Sequence, residues 1–178
     1  MMKYRLKCTT ILYIFWIMLS GHFEPKYLII GLLAAAAISY VCVPLLFIKD
    51  RNEEPYCVLD MNLIKFAGYW IWMFKEICKS SIGVAKVVLK KKMPIQPQLV
   101  KFRCVYCNPV AITMLINSII LTPGTVTIDV QEESTVFVIH ALTDEAAQGI
   151  LDGTMQTKIG RIFGEHVEIE VMGKEGRL

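Results

Sequence analysis

Between Thr9 and Ser20, and again between Tyr27 and Ile48, the sequence contains no Asp, Glu, Lys, Arg or His. Those side chains mark proton relays and ion sites inside membranes, so their absence from both long apolar runs argues that this chain does not conduct ions by itself. Charge of one sign is scarce as well: 19 Lys and Arg against 16 Asp and Glu leave a net charge of +3. The lysines cluster beside apolar stretches instead of forming one basic face, which makes nucleic acid a poor partner and lipid headgroups a better one. Six cysteines (Cys8, Cys42, Cys57, Cys78, Cys104, Cys107) are spread over the chain, and only Cys104 and Cys107 form a C-x-x-C. Without a second such pair or a nearby His pair this supplies at most half of a tetrahedral zinc site, and the scatter gives no disulfide framework. There is no G-x-G-x-x-G, no Walker loop and no Ser/His/Asp set. Neither an enzyme nor a bound metal or cofactor is expected.

What is present is apolar. The 178 residues are 54% hydrophobic, with a mean hydropathy of +0.48, enough for one modest domain plus a membrane appendage. The first run, Leu6–Gly21, follows Lys3, Arg5 and Lys7. It has the layout of a signal peptide, but Ser20-Gly21-His22 is a poor cleavage site and a second apolar stretch follows at once. That second run, Tyr27–Ile48, is long enough to cross the hydrocarbon with some tilt. Only His22 to Lys26 separates the two, so residues 1–50 are expected to form a two-helix transmembrane hairpin. Lys49 and Arg51 beyond the second run, like Lys3, Arg5 and Lys7 before the first, put both ends in the cytoplasm. Gly31, Ala35 and Ser39 recur at four-residue spacing, a face that another helix backbone can approach closely.

Residues 51–92 have a different character. At about 100° per residue Lys65, Lys75, Glu76, Lys79, Lys86 and Lys90 share an arc of about 100°, with Trp70, Phe74, Ile77, Val84 and Val88 opposite. This predicts an amphipathic helix at the inner membrane surface, with Trp70 and Phe74 in the acyl boundary and Lys75, Lys79 and Lys86 toward headgroups. A third crossing is the alternative; it would bury Lys75, Glu76 and Lys79 near the midplane and put Lys90, Lys91 and Lys92 outside. Glu76 and Lys79 read as an ordinary surface pair.

Pro94 and Pro97 set a boundary near Met93, so that residues 93–178 form a separate cytoplasmic domain. Val100, Phe102 and Cys104 alternate with Lys101 and Arg103 as a strand, with Cys104 inward and Cys107 past its end. Asn108 caps a helix with Pro109 in its first turn. That helix is apolar nearly all round, and Asn117 within it is expected to bond to the following loop. Pro123 and Gly124 form a turn in which Gly124 takes positive φ. Val126, Ile128 and Val130 lead into Glu132-Glu133-Ser134 and a second strand, a hairpin in which Asp129 points outward and His140 is half-buried and hydrogen-bonded. Thr143 caps one helix with a buried stripe of Ala147, Leu151, Met155, Ile159 and Ile162, stopped by Gly164. Val167, Ile169 and Val171 complete a βαββαβ order, the ferredoxin-like α+β arrangement.

The run Asn117-Ser118-Ile119-Ile120-Leu121-Thr122-Pro123-Gly124-Thr125, with Val138-Ile139-His140-Ala141-Leu142 farther on, resembles the E-type subunits (MrpE/MnhE) of the multisubunit Mrp (Mnh) type Na⁺/H⁺ antiporters. The likeness extends over the amino-terminal hairpin and the amphipathic stretch. It implies a small multi-pass cell-membrane subunit of a complex that exchanges cytoplasmic Na⁺ for protons, with the ion path in larger partner subunits. The family motif falls on Asn117, Thr122, Pro123, Gly124, Thr125 and His140, without catalytic roles; Cys104 and Cys107 are not part of it. Similar E-type subunits occur in membrane-bound hydrogenases and related respiratory complexes. Two readings of other classes remain: a membrane-tethered ligand-binding sensor, and an enzyme built on the two thiols.

Overall fold

A computed structural model describes residues 1–49, 51, 53, 55–91, 95–131 and 135–175, with side chains described through residue 173. The boundary expected at Met93, together with Lys92, Pro94 and the turn at Glu132-Glu133-Ser134, lies outside the described residues. The chain divides into two compact units, Met1–Met61 and Asn62–Leu178, so that the amphipathic stretch groups with the C-terminal residues.

In the first unit, α1 (Met2–Ser20) ends on Gly21 at φ 62°, the left-handed cap that glycine adopts without strain. Pro25 then occupies the first turn of α2 (Pro25–Cys42), and a single 3₁₀ turn continues to Leu46. Arg5 lies 4.2 Å from the Tyr40 ring, Thr9 Oγ1 is 2.7 Å from Ser39 Oγ, and Gly31 abuts the Trp16 indole. Partners therefore fall in number along α2 as they rise along α1. Among the described residues one helix, Pro25–Leu46, is long and apolar enough to cross a membrane.

A small ribbon missing from the sequence-based expectation follows. β1 (Phe47–Lys49) pairs antiparallel with β2 (Pro55–Cys57), placing Cys57 opposite Phe47. The chain is thus returned to the end of α2. There Asp60 accepts a 2.6 Å hydrogen bond from the Tyr4 hydroxyl and pairs with Lys7 at 3.7 Å.

The second unit opens with α3 (Leu63–Val88), whose first turn is capped by the Asn62 side chain accepting from Lys65 N. β3 (Gln98–Cys104), α4 (Pro109–Leu121), β4 (Thr125–Gln131), β5 (Val136–Ala141), α5 (Asp144–Leu151), α6 (Thr154–Phe163) and β6 (Ile169–Glu175) follow. The sheet order is β4-β5-β3-β6, with every neighbouring pair antiparallel. Val100, Phe102 and Cys104 are buried while Arg103 is exposed, as their alternation predicts. Phe102 and Phe137 stack at 5.2 Å, and Leu115, Ile119 and Ile159 complete a core in which the burial of each such side chain contributes about 2 kcal/mol.

Three expectations change. The single helix from Thr143 to Gly164 is broken: Gly153 at φ 72° ends α5 and starts α6, moving the buried position from Leu151 to Ile150. In β4 the register shifts between Thr127 and Asp129, so Ile128 is an extra residue with no partner opposite and is 58% exposed. β6 carries a matching irregularity: Gly173 pairs with Lys101 and Val171 with Phe102, leaving Met172 extra and 58% exposed.

Candidate functional site

The signature run Asn117–Thr125 builds a compact knot at the C-terminus of α4. Thr125 Oγ1 donates to the Ile119 carbonyl at 2.7 Å and lies 2.8 Å from Thr122 Oγ1, so two hydroxyls serve the carbonyls that a helix end leaves open. Pro123 and Gly124 follow, with Gly124 at φ 89°. The Gly124 carbonyl accepts from Leu142 N at 2.8 Å, tying the turn to the end of β5. Thr122, Pro123, Gly124 and Thr125 thus meet at one place. Asn117 and His140 do not join them. Asn117 is exposed and bonds to nothing among the described residues, which corrects its expected bond to the loop. His140 is half-buried on the open face of the sheet, opposite Leu99 and Val126; contrary to expectation its ring has no hydrogen bond among the described residues. Asp129 is outward and exposed.

The residue that sequence reasoning missed is Ser118. It is 2% exposed, bonds to the Met114 carbonyl at 2.7 Å and receives the Tyr69 hydroxyl of α3 at 2.6 Å. Farther along α3, Ser80 Oγ donates to the Pro123 carbonyl at 2.7 Å. Lys65 Nζ reaches the Arg161 carbonyl of α6 at 3.0 Å, and Lys158 lies 5.1 Å from the Trp72 ring. The knot is therefore a seat for α3. The seam leaves a cleft of about 280 Å³ lined in part by Glu76, Ser80, Thr122 and Thr143. Three of its hydroxyls are engaged with backbone: Thr143 Oγ1 accepts from Ala146 N, and Ser80 and Thr122 serve carbonyls. Tyr69 and Met73 are buried on the seated side, whereas Trp70, Phe74, Lys75, Lys79 and Lys86 stay exposed. Glu76 and Lys79 form the expected surface pair at 3.8 Å.

In the first unit Gly31, Ala35 and Ser39 are all buried, and the close approach they permit is taken by α1 itself.

No disulfide joins any of the six cysteines, and among the described residues no three His, Cys, Asp or Glu side chains gather as metal ligands. Cys104 is buried and Cys107 exposed. Glu165 holds the loop between them and α4, its carboxylate accepting from Cys107 N at 2.9 Å and Asn108 N at 3.0 Å. Burial pushes the Cys104 thiol up from 9.0 to about 11, and burial likewise pushes the Tyr69 phenol up from 10.0 to about 12, although its bond to Ser118 opposes the rise. Both groups are neutral when protonated, and the folded chain keeps both protons to higher pH than the unfolded chain. Their stability contribution is therefore whole below pH 9 and declines as pH rises toward about 12, by about 2 kcal/mol for each group. Denaturant titrations from pH 8 to 11 should show that decline. In the same protein at pH 8 a maleimide should modify Cys107 at least about tenfold faster than Cys104, read by peptide mass spectrometry; equal rates would contradict the burial of Cys104.

The family model described as Na+/H+ ion antiporter subunit, MNHE, matches residues 9–162. Among known proteins, the E1 subunit of the Na(+)/H(+) antiporter of Staphylococcus haemolyticus (strain JCSC1435) is 27% identical over 157 residues, 87% of this chain and 94% of that protein. The E subunit of the Na(+)/H(+) antiporter of Bacillus subtilis (strain 168) is 34% identical over 88 residues, 49% of this chain and 54% of that one. A chain in a solved structure of the membrane-bound sulfane sulfur reductase, an archaeal respiratory membrane complex, has a TM-score of 0.70 at 25% identity, covering 90% of this chain and 99% of that chain. The match runs from α1 through the signature knot to the last turn of α6, and the chain accordingly belongs to the MNHE family of Na+/H+ antiporter subunits.

Proposed function

We propose that this chain is a non-catalytic subunit of a multisubunit monovalent cation (Na⁺)/H⁺ antiporter, required for assembly and stability of the complex, with ion translocation carried by larger partner subunits. The observation that carries this is the family match across residues 9–162, combined with two apolar runs that lack Asp, Glu, Lys, Arg and His. α1 and α2 form a transmembrane hairpin with both ends cytoplasmic. Their opposed contacts at Arg5–Tyr40, Thr9–Ser39 and Trp16–Gly31 support it. So do the basic residues at both ends of the pair. The C-terminal domain is a ferredoxin-like βαββαβ fold on the cytoplasmic side, supported by the sheet order β4-β5-β3-β6 and its antiparallel pairing. α3, seated on that domain through Tyr69–Ser118 and Ser80–Pro123, belongs at the cytoplasmic membrane surface. The lysines it carries weigh against a third crossing.

A second reading has one observation in its favour. The solved relative belongs to a respiratory membrane complex, so the same subunit could serve an Mrp-like module of a hydrogenase or related complex. Affinity purification of the tagged protein from native membranes in mild detergent, followed by mass spectrometry, separates the two. Large antiporter-like subunits alone support the antiporter. The same subunits with a redox module support the respiratory complex, and recovery as a lone monomer rejects both in favour of a tethered sensor.

A further inference from the structure

The side of α3 turned away from its seat carries two adjoining stripes. At about 100° per residue, Ile64, Ile71, Phe74, Cys78 and Ile82 share one arc of about 80°, and Lys75, Lys79 and Lys86 share the next arc of about 40°. All eight are exposed, Ile71 at 64% and Phe74 at 67%. The seated residues Tyr69, Met73, Ser80 and Val84 lie on the opposite side, so packing within the unit leaves the outer apolar stripe uncovered. Near the C-terminal end, Lys79, Lys86 and Lys90 border an open groove with Ile82 and Glu145. Glu76, 3.8 Å from Lys79, is the other carboxylate beside the row.

A stripe of Ile and Phe bordered along one edge by lysines suits an interface between hydrocarbon and phosphate. The rings and branched chains enter the acyl boundary while the lysine stems lie along it and lift their ammonium groups to the headgroups. A protein partner would need an acidic strip beside an apolar one to do the same. Chain connectivity points to the same occupant. Asp60 is held by Tyr4 and Lys7 at the basic end of α1. Only Met61 and Asn62 stand between it and Leu63, so α3 follows directly along the chain on the segment tied to α1.

We infer that α3 lies along an anionic bilayer surface, with Ile64, Ile71, Phe74 and Ile82 inserted and Lys75, Lys79, Lys86 and Lys90 on phospholipid headgroups. This rests on the reading of the chain as a membrane subunit, and it names the lipid class that α3 takes. The test places p-benzoylphenylalanine at Ile71 or Phe74 of the full chain. The chain is reconstituted in phosphatidylcholine vesicles with or without about three parts in ten phosphatidylglycerol. Irradiation should give phospholipid adducts at both positions, at least about fivefold more with the anionic lipid at low salt, the factor that one lysine near such a surface supplies. K75Q/K79Q/K86Q/K90Q should bring the yield back to that in phosphatidylcholine alone. The same probe at Ile30, exposed on α2, should react with lipid in both vesicles, and at Val126, exposed on β4, in neither. Failure at Ile71 and Phe74 while Ile30 reacts overturns the proposal, as does a yield indifferent to anionic lipid. In native membranes, adducts from these two positions to another polypeptide would reassign the stripe to a protein partner. None of these results bears on the assembly role, which is decided by what co-purifies.

Discussion

Gly31→Ala is expected to destabilise the α1–α2 pair by about 3 kcal/mol, although helix propensity alone would make it stabilising by about 1 kcal/mol. A Cβ built at Gly31 collides with the Trp16 indole, not with a flexible side-chain tip. Moving the ring would disturb the pairing of the two helices, which is held farther along the same face by the Thr9–Ser39 contact at 2.7 Å. Gly31→Leu should be worse, since its branched end has to occupy the volume of the ring. Two measurements check this: the thermal midpoint of the purified full chain in detergent, and the yield of chain recovered with partner subunits. Both should fall. A second change, Trp16→Ala, should restore part of the loss in Gly31→Leu by removing the obstacle. No rescue would mean that the penalty comes from somewhere other than that contact.

Gly124→Val should cost the C-terminal unit about 3 kcal/mol. The glycine sits at φ 89°, a region that a β-branched residue meets poorly. The added Cβ would also stand 3.4 Å from Val84 Cγ2, against the seated side of α3. Relaxing φ to a negative value would swing the neighbouring carbonyls and break two bonds, Ser80 Oγ to the Pro123 carbonyl and Leu142 N to the Gly124 carbonyl. Each is worth about 1 kcal/mol. The order of damage should therefore be Asn, then Ala, then Val, because Asn tolerates left-handed backbone best of the three. Urea unfolding gives the order. Hydrogen exchange gives the mechanism: protection should drop at Leu142 N and along α3 before the β3–β5 ladder is affected. Equal protection across both regions would argue against the knot as the seat of α3.

What the residues disclosed in advance was mostly local. Asn108 before Pro109, Thr143 before two acids, and Gly164 after Phe163 each fix a helix end through their own side chain or backbone freedom, and each is found there. The signature turn was legible for the same reason, since Pro-Gly at those two positions leaves few conformations. What escaped depends on partners distant in sequence. The three-residue ribbon at Phe47 and Cys57 exists only through its pairing. The register shifts in β4 and β6 depend on the opposing strand, so strict alternation misassigned Ile128. On α3 both long sides are apolar, and a helical wheel cannot say which of them a domain will take. Ser118 escaped because a serine within an apolar helix gives no hint that a tyrosine forty-nine residues earlier will meet it. Gly31, Ala35 and Ser39 were recognisable as a close-packing face, but the nearest helix in sequence was the one that filled it.

The two irregular strands have a further consequence. β4 and β6 are the outer strands of the sheet, and both carry their extra residue there, Ile128 on one and Met172 on the other. An outer strand with a regular row of open N–H and C=O groups is a template on which a stray chain can add itself. An extra residue throws that row out of step and twists it locally. Both margins of this sheet are spoiled in that way. A chain whose sheet ends in such margins is thereby kept from growing into a ribbon with its own copies.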